Sequence, residues 1–185
     1  MKRAVSLEGV FRHCPRCGGR SLAYGGRGDV ACLGCGLHHF VNAAGAVVAL
    51  IADGAGRLLA TRRARPPGAG LLDLPGGFID PSESAEEALV REVREELNLE
   101  LEAWRYWRSF PNRYPYSGVV VHTVDLVFGC RAASLDDLRP GDDVTEALFV
   151  DPRLVPAEAV ALASVRAIFR ELAATAELDH LLRIV

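Results

Sequence analysis

Four cysteines in two tight pairs constrain this chain more than any other feature: Cys14-Pro15-Arg16-Cys17 and Cys32-Leu33-Gly34-Cys35, with 14 residues between the pairs. A two-residue gap lets two thiolates converge on one ion while the turn frees backbone N–H groups for the sulfurs, so paired C-x2-C knuckles suit tetrahedral Zn2+. Gly18, Gly19, Gly34 and Gly36 follow the cysteines where such knuckles turn sharply. The competing reading is a pair of disulfides, which a reducing compartment disfavours. Residues 11 to about 40 hold few apolar side chains, so a fold there depends on the metal. The spacing therefore predicts a zinc ribbon with an N-terminal extension over residues 1–40 and a separate domain over 41–185. His38 and His39 follow the last knuckle, but four thiolates already complete a zinc site, and both are expected at the surface. Cys130, alone in the run VDLVFGC, reads as a small buried hydrophobe.

A length of 185 residues fits one full domain plus a small module. Half the residues are hydrophobic and 24% are charged, enough for a real core and against wholesale disorder. Lys plus Arg number 21 against 24 Asp plus Glu, a formal net charge of −3, so no global basic field favours nucleic acid as a partner. The longest apolar stretch, Ala43 to Ala52, has about half the ~20 residues that a membrane-spanning helix needs. Glu8, Arg12 and His13 stand where a signal peptide would carry its apolar region, and a cytoplasmic location is expected.

Beyond residue 41 the pattern is α/β. Ala46 to Ile51 reads as a buried strand, Asp53-Gly54-Ala55-Gly56 as a turn and Arg57 to Arg63 as a returning strand, together a hairpin. A Pro- and Gly-rich loop, Arg65 to Gly70, leads to LLDLPGGFIDPSES. Further strands are expected around Trp104–Phe110, Val119–Cys130 and Ala147–Val150. Leu162, Val165, Ile168, Phe169 and Leu172 recur at helical spacing and signal a last helix.

Ser84 to Leu97 is the most informative stretch. Ser84 with Glu87 makes a capping box, no Gly or Pro interrupts the interior, and Leu89, Val93 and Leu97 form a core stripe. At ~100° per residue, Glu92, Glu95 and Glu96 share one side of that helix. Glu92 and Glu96 stand at i, i+4, a like-charge pair that costs a few tenths of a kcal/mol. Arg91 is in reach of Glu95 but cannot neutralise all three. A bound divalent cation would remove the repulsion, whereas an ordinary solvated acidic face is the plainer reading of the glutamates alone.

The surroundings of that helix decide between the two. Gly77, Glu83 and the run Arg91-Glu92-Val93-Arg94-Glu95-Glu96-Leu97-Asn98-Leu99 resemble the Nudix box, G-x5-E-x7-R-E-U-x-E-E-x-G-U, with U aliphatic. Six fixed polar or Gly positions match, a coincidence on the order of one in ten million at ordinary residue usage. Asn98 replaces the last Gly, at a position after the helix where a left-handed backbone is expected and Asn tolerates it. The resemblance implies a Nudix α/β/α sandwich with a mixed sheet, whose loop-helix-loop binds Mg2+ or Mn2+. It implies Glu92, Glu95 and Glu96 as the catalytic metal-binding carboxylates, the Gly76 carbonyl as an extra ligand, and Arg91 and Glu83 as an ion pair bracing the loop. Family members often add an acidic residue from a later loop. Asp143 and Glu146, in GDDVTEALFV, are the candidates, each equally readable as a solvated loop charge.

A ribbon ahead of such a domain resembles the NADH pyrophosphatase branch, with its S-Q-P-W-P-F-P-x-S motif about ten residues past the box. Here Ser109-Phe110-Pro111-Asn112-Arg113-Tyr114-Pro115-Tyr116-Ser117 keeps both serines, two prolines and an aromatic, while Gln, Trp and the middle Pro are replaced. Pro115 also falls sixteen residues past the box, where ADP-ribose pyrophosphatases tend to carry proline. Phe110, Tyr114 and Tyr116 have the chemistry to stack a purine and Arg113 to face phosphate; equally they read as core or interface side chains. Arg62 and Arg63 read either as phosphate contacts or, the reading preferred, as an exposed strand end. The implied function is hydrolysis of the diphosphate of a nucleoside diphosphate linked to another group, NADH or ADP-ribose first. Alternatives are a (deoxy)nucleoside triphosphate or capped-RNA pyrophosphohydrolase, and a non-catalytic ligand-sensing or nucleic-acid-binding module. The family further implies a small nucleotide as partner and a homodimer.

Overall fold

The computed structural model describes residues 10–26 and 28–174; the first nine residues of the expected N-terminal extension lie outside them. Contacts divide the chain into two compact units that meet between Ala43 and Ala44. The first carries β1 (Leu22–Tyr24), β2 (Asp29–Cys32) and β3 (His38–Phe40), an antiparallel sheet in that order. Its two cysteine knuckles turn alike. Gly18 N–H donates to the Cys14 carbonyl and Gly36 N–H to that of Cys32, each at 2.9 Å, and both glycines sit at φ +73°, where a side chain would be strained. His38 and His39 are exposed.

The second unit runs β4 (Ala44–Ile51), β5 (Leu58–Arg63), β6 (Leu72–Asp73), α1 (Ala85–Leu97), β7 (Leu101–Tyr116), β8 (Val119–Ala132), β9 (Val144–Val150) and α2 (Ala163–Ala174). One sheet has the order β4-β8-β7, with β4 parallel to β8 and β7 antiparallel, and is therefore mixed; the other, β6-β5-β9, is antiparallel. Successive residues of β4 feed two different cores. Val47, Ala49 and Ile51 join Leu89, Val93 and Leu97 of α1, whereas Val48 and Leu50 join Val165, Ile168 and Phe169 of α2. A strand covered on both faces loses polar alternation, which is why residues 46–51 read as a continuous apolar run. None of the described helices is long and apolar enough to cross a membrane.

The expected β4–β5 hairpin is corrected. The turn forms, with Asp53 Oδ1 accepting the N–H groups of Ala55 and Arg57, and one bridge joins Ala52 to Leu58. Beyond it the strands part: β4 takes β8, and β5 takes β6 and β9. Asp53 to Gly56 thus carries the chain from one sheet to the other.

Strands β7 and β9 are longer than expected. β7 continues through Tyr116 and turns back into β8 through Ser117 (φ 49°) and Gly118 (φ 78°), a pair of left-handed residues whose twist suits a two-residue hairpin loop. Pro111 and Pro115 are tolerated because β7 lies at the edge of its sheet.

α1 follows its local signals. The Ser84 hydroxyl accepts from Glu87 N–H, the Glu87 carboxylate accepts from Ser84 N–H, and Ala88, Leu89, Val93 and Leu97 are buried. Asn98 closes the helix at φ 56°, ψ 33°, the left-handed conformation expected of it, and its side chain donates to the Asp137 carbonyl. Cys130 is buried in the core, where desolvation pushes its thiol up to about 12 and leaves it inert.

Candidate active site

Segment 75–79 lies along β4 and brings the loop to the helix. Ala49 N–H donates to the Pro75 carbonyl, Val47 N–H to Gly77, and Ile79 N–H to Gly45. Two glycines make this approach possible. A Cβ on Gly76 (φ +139°) would stand 2.1 Å from the Val47 carbonyl oxygen, and one on Gly77 would stand 2.4 Å from Glu92 Oε1. Without side chains there, Gly76 N–H reaches Glu96 Oε2 at 2.9 Å.

Arg91 ties the loop to the helix. Its guanidinium donates twice to the Glu83 carboxylate at 2.8 Å, to the Phe78 carbonyl at 3.0 Å, to Glu92 at 2.8 Å and to Glu95 at 3.2 Å. The Arg91 hydrogen bonds, with a further one from Asp80 N–H, hold Glu83 down at about 2.

The three glutamates of α1 do not share one environment. Glu92 and Glu96 are both part-buried and line a cleft of ≈ 260 Å³. Glu95 is 49% exposed and faces the outer groove between α1 and Trp104. Burial raises Glu92 and pushes Glu96 up to about 8, with the charges of Glu92 and Asp73 adding to the effect on Glu96. Among the described residues Glu96 has no ion-pair partner.

Other elements close the cleft. Asp142 and Asp143, in the loop before β9, line it, and the charge of Asp142 is felt at Glu92. Asp143 also pairs with Arg65 at 3.0 Å. Glu146 does not line the cleft: it lies opposite Arg62 in the β5–β9 register and pairs with it at 2.8 Å. Asp142, which sequence reasoning passed over, stands beside the candidate it named and carries the left-handed turn, at φ 43°.

The β-bulge at Arg62/Arg63 separates the two arginines. Arg62 remains part-exposed, but the Arg63 side chain is mostly covered, at 19% exposure, in the cleft wall, which corrects its reading as an exposed strand end. Arg63 donates to Asp73 at 2.6 Å, to the Tyr114 hydroxyl at 3.0 Å and to the Pro67 carbonyl at 2.7 Å.

The aromatic segment is also resolved. Period-two alternation along β7 turns Phe110, Asn112 and Tyr114 to one face and Arg113 to the other. Tyr114 lines the cleft, with its ring edge-on to Phe78 at 5.6 Å. Phe110 sits in the α2-side core and offers no ring to a ligand, a correction to its stacking role. Arg113 is exposed across from His122 and does not face the cleft, a second correction. Tyr116 is 61% exposed and stacks on Tyr114, outside the cleft lining. Asn112, Thr123, Asp125 and Phe78 line the cleft without having been singled out. The alternation would have revealed Asn112, had the segment been read as a strand.

In the first unit the sulfurs of Cys14, Cys17, Cys32 and Cys35 all lie within 4.8 Å of one another, with Cys14–Cys35 at 3.6 Å and Cys17–Cys32 at 3.7 Å. All four are free thiols and not disulfides, and together they offer one ion four sulfur ligands.

The NAD-capped RNA hydrolase NudC of Pseudomonas aeruginosa is 31% identical over 140 residues, 70% of this chain and 50% of the relative. An ADP-ribose pyrophosphatase of Methanocaldococcus jannaschii is 35% identical over 104 residues, 54% of this chain and 57% of the relative. The CTP pyrophosphohydrolase of Escherichia coli is 43% identical over 77 residues, 41% of this chain and 56% of the relative. This chain spans about half the length of these curated relatives. A NUDIX hydrolase structure from Nitrosomonas europaea shares the fold, with a TM-score of 0.66 and 21% identity over 89% of this chain and 91% of that one. The MutT NUDIX hydrolase structure from Burkholderia pseudomallei has a TM-score of 0.61 and 26% identity, over 71% and 98%. The family model for the NUDIX domain matches residues 42–175, a span that takes in every element from β4 to α2, and on that ground the chain belongs to the Nudix family.

Proposed function

We propose that this chain is a divalent-cation-dependent pyrophosphohydrolase that cleaves the diphosphate of a nucleoside diphosphate joined to a second group, with NADH and ADP-ribose the first substrates to try. The observation that carries the reading is Glu96. It is a part-buried carboxylate held by one backbone N–H, with no ion-pair partner among the described residues and only the nearby charge of Arg63 set against those of Glu92 and Asp73, in a cleft with further carboxylates from Glu92, Asp142 and Asp143. Hard oxygen donors in excess of local positive charge are the donor set that Mg2+ or Mn2+ takes, so the residues fit the ion. Glu92, Glu96 and the Gly76 carbonyl would hold it, with Asp142 or Asp143 added from the loop, and Glu95 would join them by turning in from the outer groove. When bound, the cation supplies Lewis acidity to the diphosphate and acidity to a water.

The chain's own residues do the rest. Arg91 fixes Glu83, Glu92 and the 75–79 loop as one unit, so the carboxylates are oriented before substrate arrives. A carboxylate of α1 takes the proton of the water that attacks phosphorus in line, and the bridging P–O bond breaks to give a nucleoside monophosphate and a second phosphate-bearing product. We further propose that Zn2+ at Cys14, Cys17, Cys32 and Cys35 staples a ribbon over residues 1–40, ahead of the hydrolase domain over 41–185. The relatives named for NAD-capped RNA, ADP-ribose and CTP support a nucleotide substrate, and leave triphosphates and capped RNA ends as the competing classes.

The test is a phosphate-release screen with added phosphatase, in Mg2+ and then Mn2+, against NADH, NAD+, ADP-ribose, capped RNA and the nucleoside triphosphates. Turnover of one class that is lost in chelator and restored by Mg2+ is expected. No turnover of any of them would overturn the hydrolase reading.

A further inference from the structure

The inward face of the β7–β8 pair changes chemistry without changing burial. Phe110, opposite Asp125, sits at the end of the apolar core, and Asn112, opposite Thr123, is the next inward position. Asn112 is 5% exposed, Thr123 4% and Asp125 4%, as closed to solvent as the hydrocarbon beside them. Hydrophobic side chains there would fold at less cost, because a polar group removed from water needs a partner. The Thr123 hydroxyl donates its one proton to Asp125 Oδ1 at 2.5 Å, so this pair has only acceptors left to offer. Asn112 Oδ1 is fully enclosed and accepts from nothing. All three side chains line the cleft that Glu92 and Glu96 also line.

A floor of buried acceptors calls for a ligand with N–H donors. The walls call for a flat one: Tyr114 is pinned through its hydroxyl by Arg63, and the partly exposed Phe78 ring meets it edge-on. At ≈ 260 Å³ the cleft is smaller than the ~300–1,000 Å³ that encloses a drug-sized ligand, so it accepts one end of a dinucleotide-sized substrate. Resting on the pyrophosphohydrolase reading above, we infer that Asn112 and Asp125, the latter positioned by Thr123, determine specificity by accepting hydrogen bonds from a primary amine or amide on a planar ring of the substrate. An amino-bearing nucleobase and a ring carboxamide share this chemistry.

Calorimetric binding of matched mononucleotides in Mg2+ tests the inference and separates the two sources. The pairs are AMP against IMP, CMP against UMP, and nicotinamide mononucleotide against nicotinic acid mononucleotide. Wild type is expected to prefer the N–H2-bearing member of at least one pair by about 10- to 100-fold, the scale of one or two buried hydrogen bonds. Preference in a base pair identifies an amino-bearing base, and preference in the third pair the carboxamide. Asn112→Leu should reduce the ratio to within about threefold, because the acceptor is gone while the volume is kept. Asp125→Asn, nearly isosteric, turns a donor toward the ring and should reverse the preference toward the carbonyl- or carboxylate-bearing member; it carries the test if the leucine variant does not fold. Equal binding in all three pairs, or a preference unchanged in both variants, would overturn the inference. Because the readout is binding, the inference stands if discrimination is seen without turnover, whereas turnover without discrimination sinks the inference and leaves the hydrolase reading intact.

Discussion

Glu96→Gln should remove hydrolysis and, in magnesium-free buffer at alkaline pH, make the protein more stable than wild type. Burial pushes the Glu96 carboxyl up to about 8 from an ordinary 4.5. The folded state therefore binds a proton that the unfolded chain has lost between those values. Stability from this group is fully present below about 4.5 and is lost as pH rises through about 8. At about 1.4 kcal/mol per pH unit, that interval sets a ceiling of about 5 kcal/mol for the cost of ionising Glu96 in the fold. Gln never ionises, and its amide oxygen still accepts from Gly76 N–H. At pH 8.5 the variant should melt about 5–15 °C above wild type. At pH 4.5 the gap should close, because wild-type Glu96 is then protonated in the fold. Hydrolysis with Mg2+ should fall about 100-fold or more. Thermal melts of both proteins at the two pH values, beside a turnover assay, check all three. A variant that melts at or below wild type at pH 8.5 would refute the argument that Glu96 is held in the cleft against its own charge.

Other perturbations address the rest of the molecule. Gly77→Ala should lower kcat about 10-fold or more while the melting temperature changes little, because its Cβ collides with the Glu92 carboxylate and displaces it; unchanged steady-state kinetics would count against that placement. Glu83 is held down at about 2, so its contribution to stability is present above about 4.5 and is lost as pH falls through 2. Acid unfolding of Glu83→Gln should accordingly show a shallower slope over that range than wild type. Metal analysis after gel filtration should return one zinc per chain, and Cys32→Ser should lose it together with the hydrogen-exchange protection of β1 to β3; retained protection would refute a metal-dependent ribbon.

The parts that were legible in the sequence are those whose causes are local. The capping box at Ser84, the core stripe of Leu89, Val93 and Leu97, and the left-handed Asn98 are each specified within about a turn of helix, and all are present in the fold. The convergence of the four cysteines is specified by two short knuckles in the same way. Long-range pairing is not written locally. Residues 44–51 and 58–63 look like a hairpin by every nearby signal, and nothing in them says that the first pairs in parallel with a strand some seventy residues later. Arg63 departs from the reading it shared with Arg62 because a bulge between them breaks the alternation that would predict their directions. Phe110 and Arg113 stayed open to two readings because two prolines concealed the continuation of the strand past Phe110, and only once β7 is known to be an edge does its period assign Asn112 and Tyr114 inward.

The hydrogen bonds of segment 75–79 to β4 have a consequence for solubility. β4 ends its sheet, and apart from this segment its outer N–H and C=O groups would be an open template beside the apolar sequence AGAVVALI. The loop that carries Gly76 to the carboxylates is thus also the guard on an aggregation-prone edge. Substitutions that loosen it, whatever they do to turnover, expose that edge to a second chain, so directed evolution of this loop is bounded by insoluble protein as well as by chemistry.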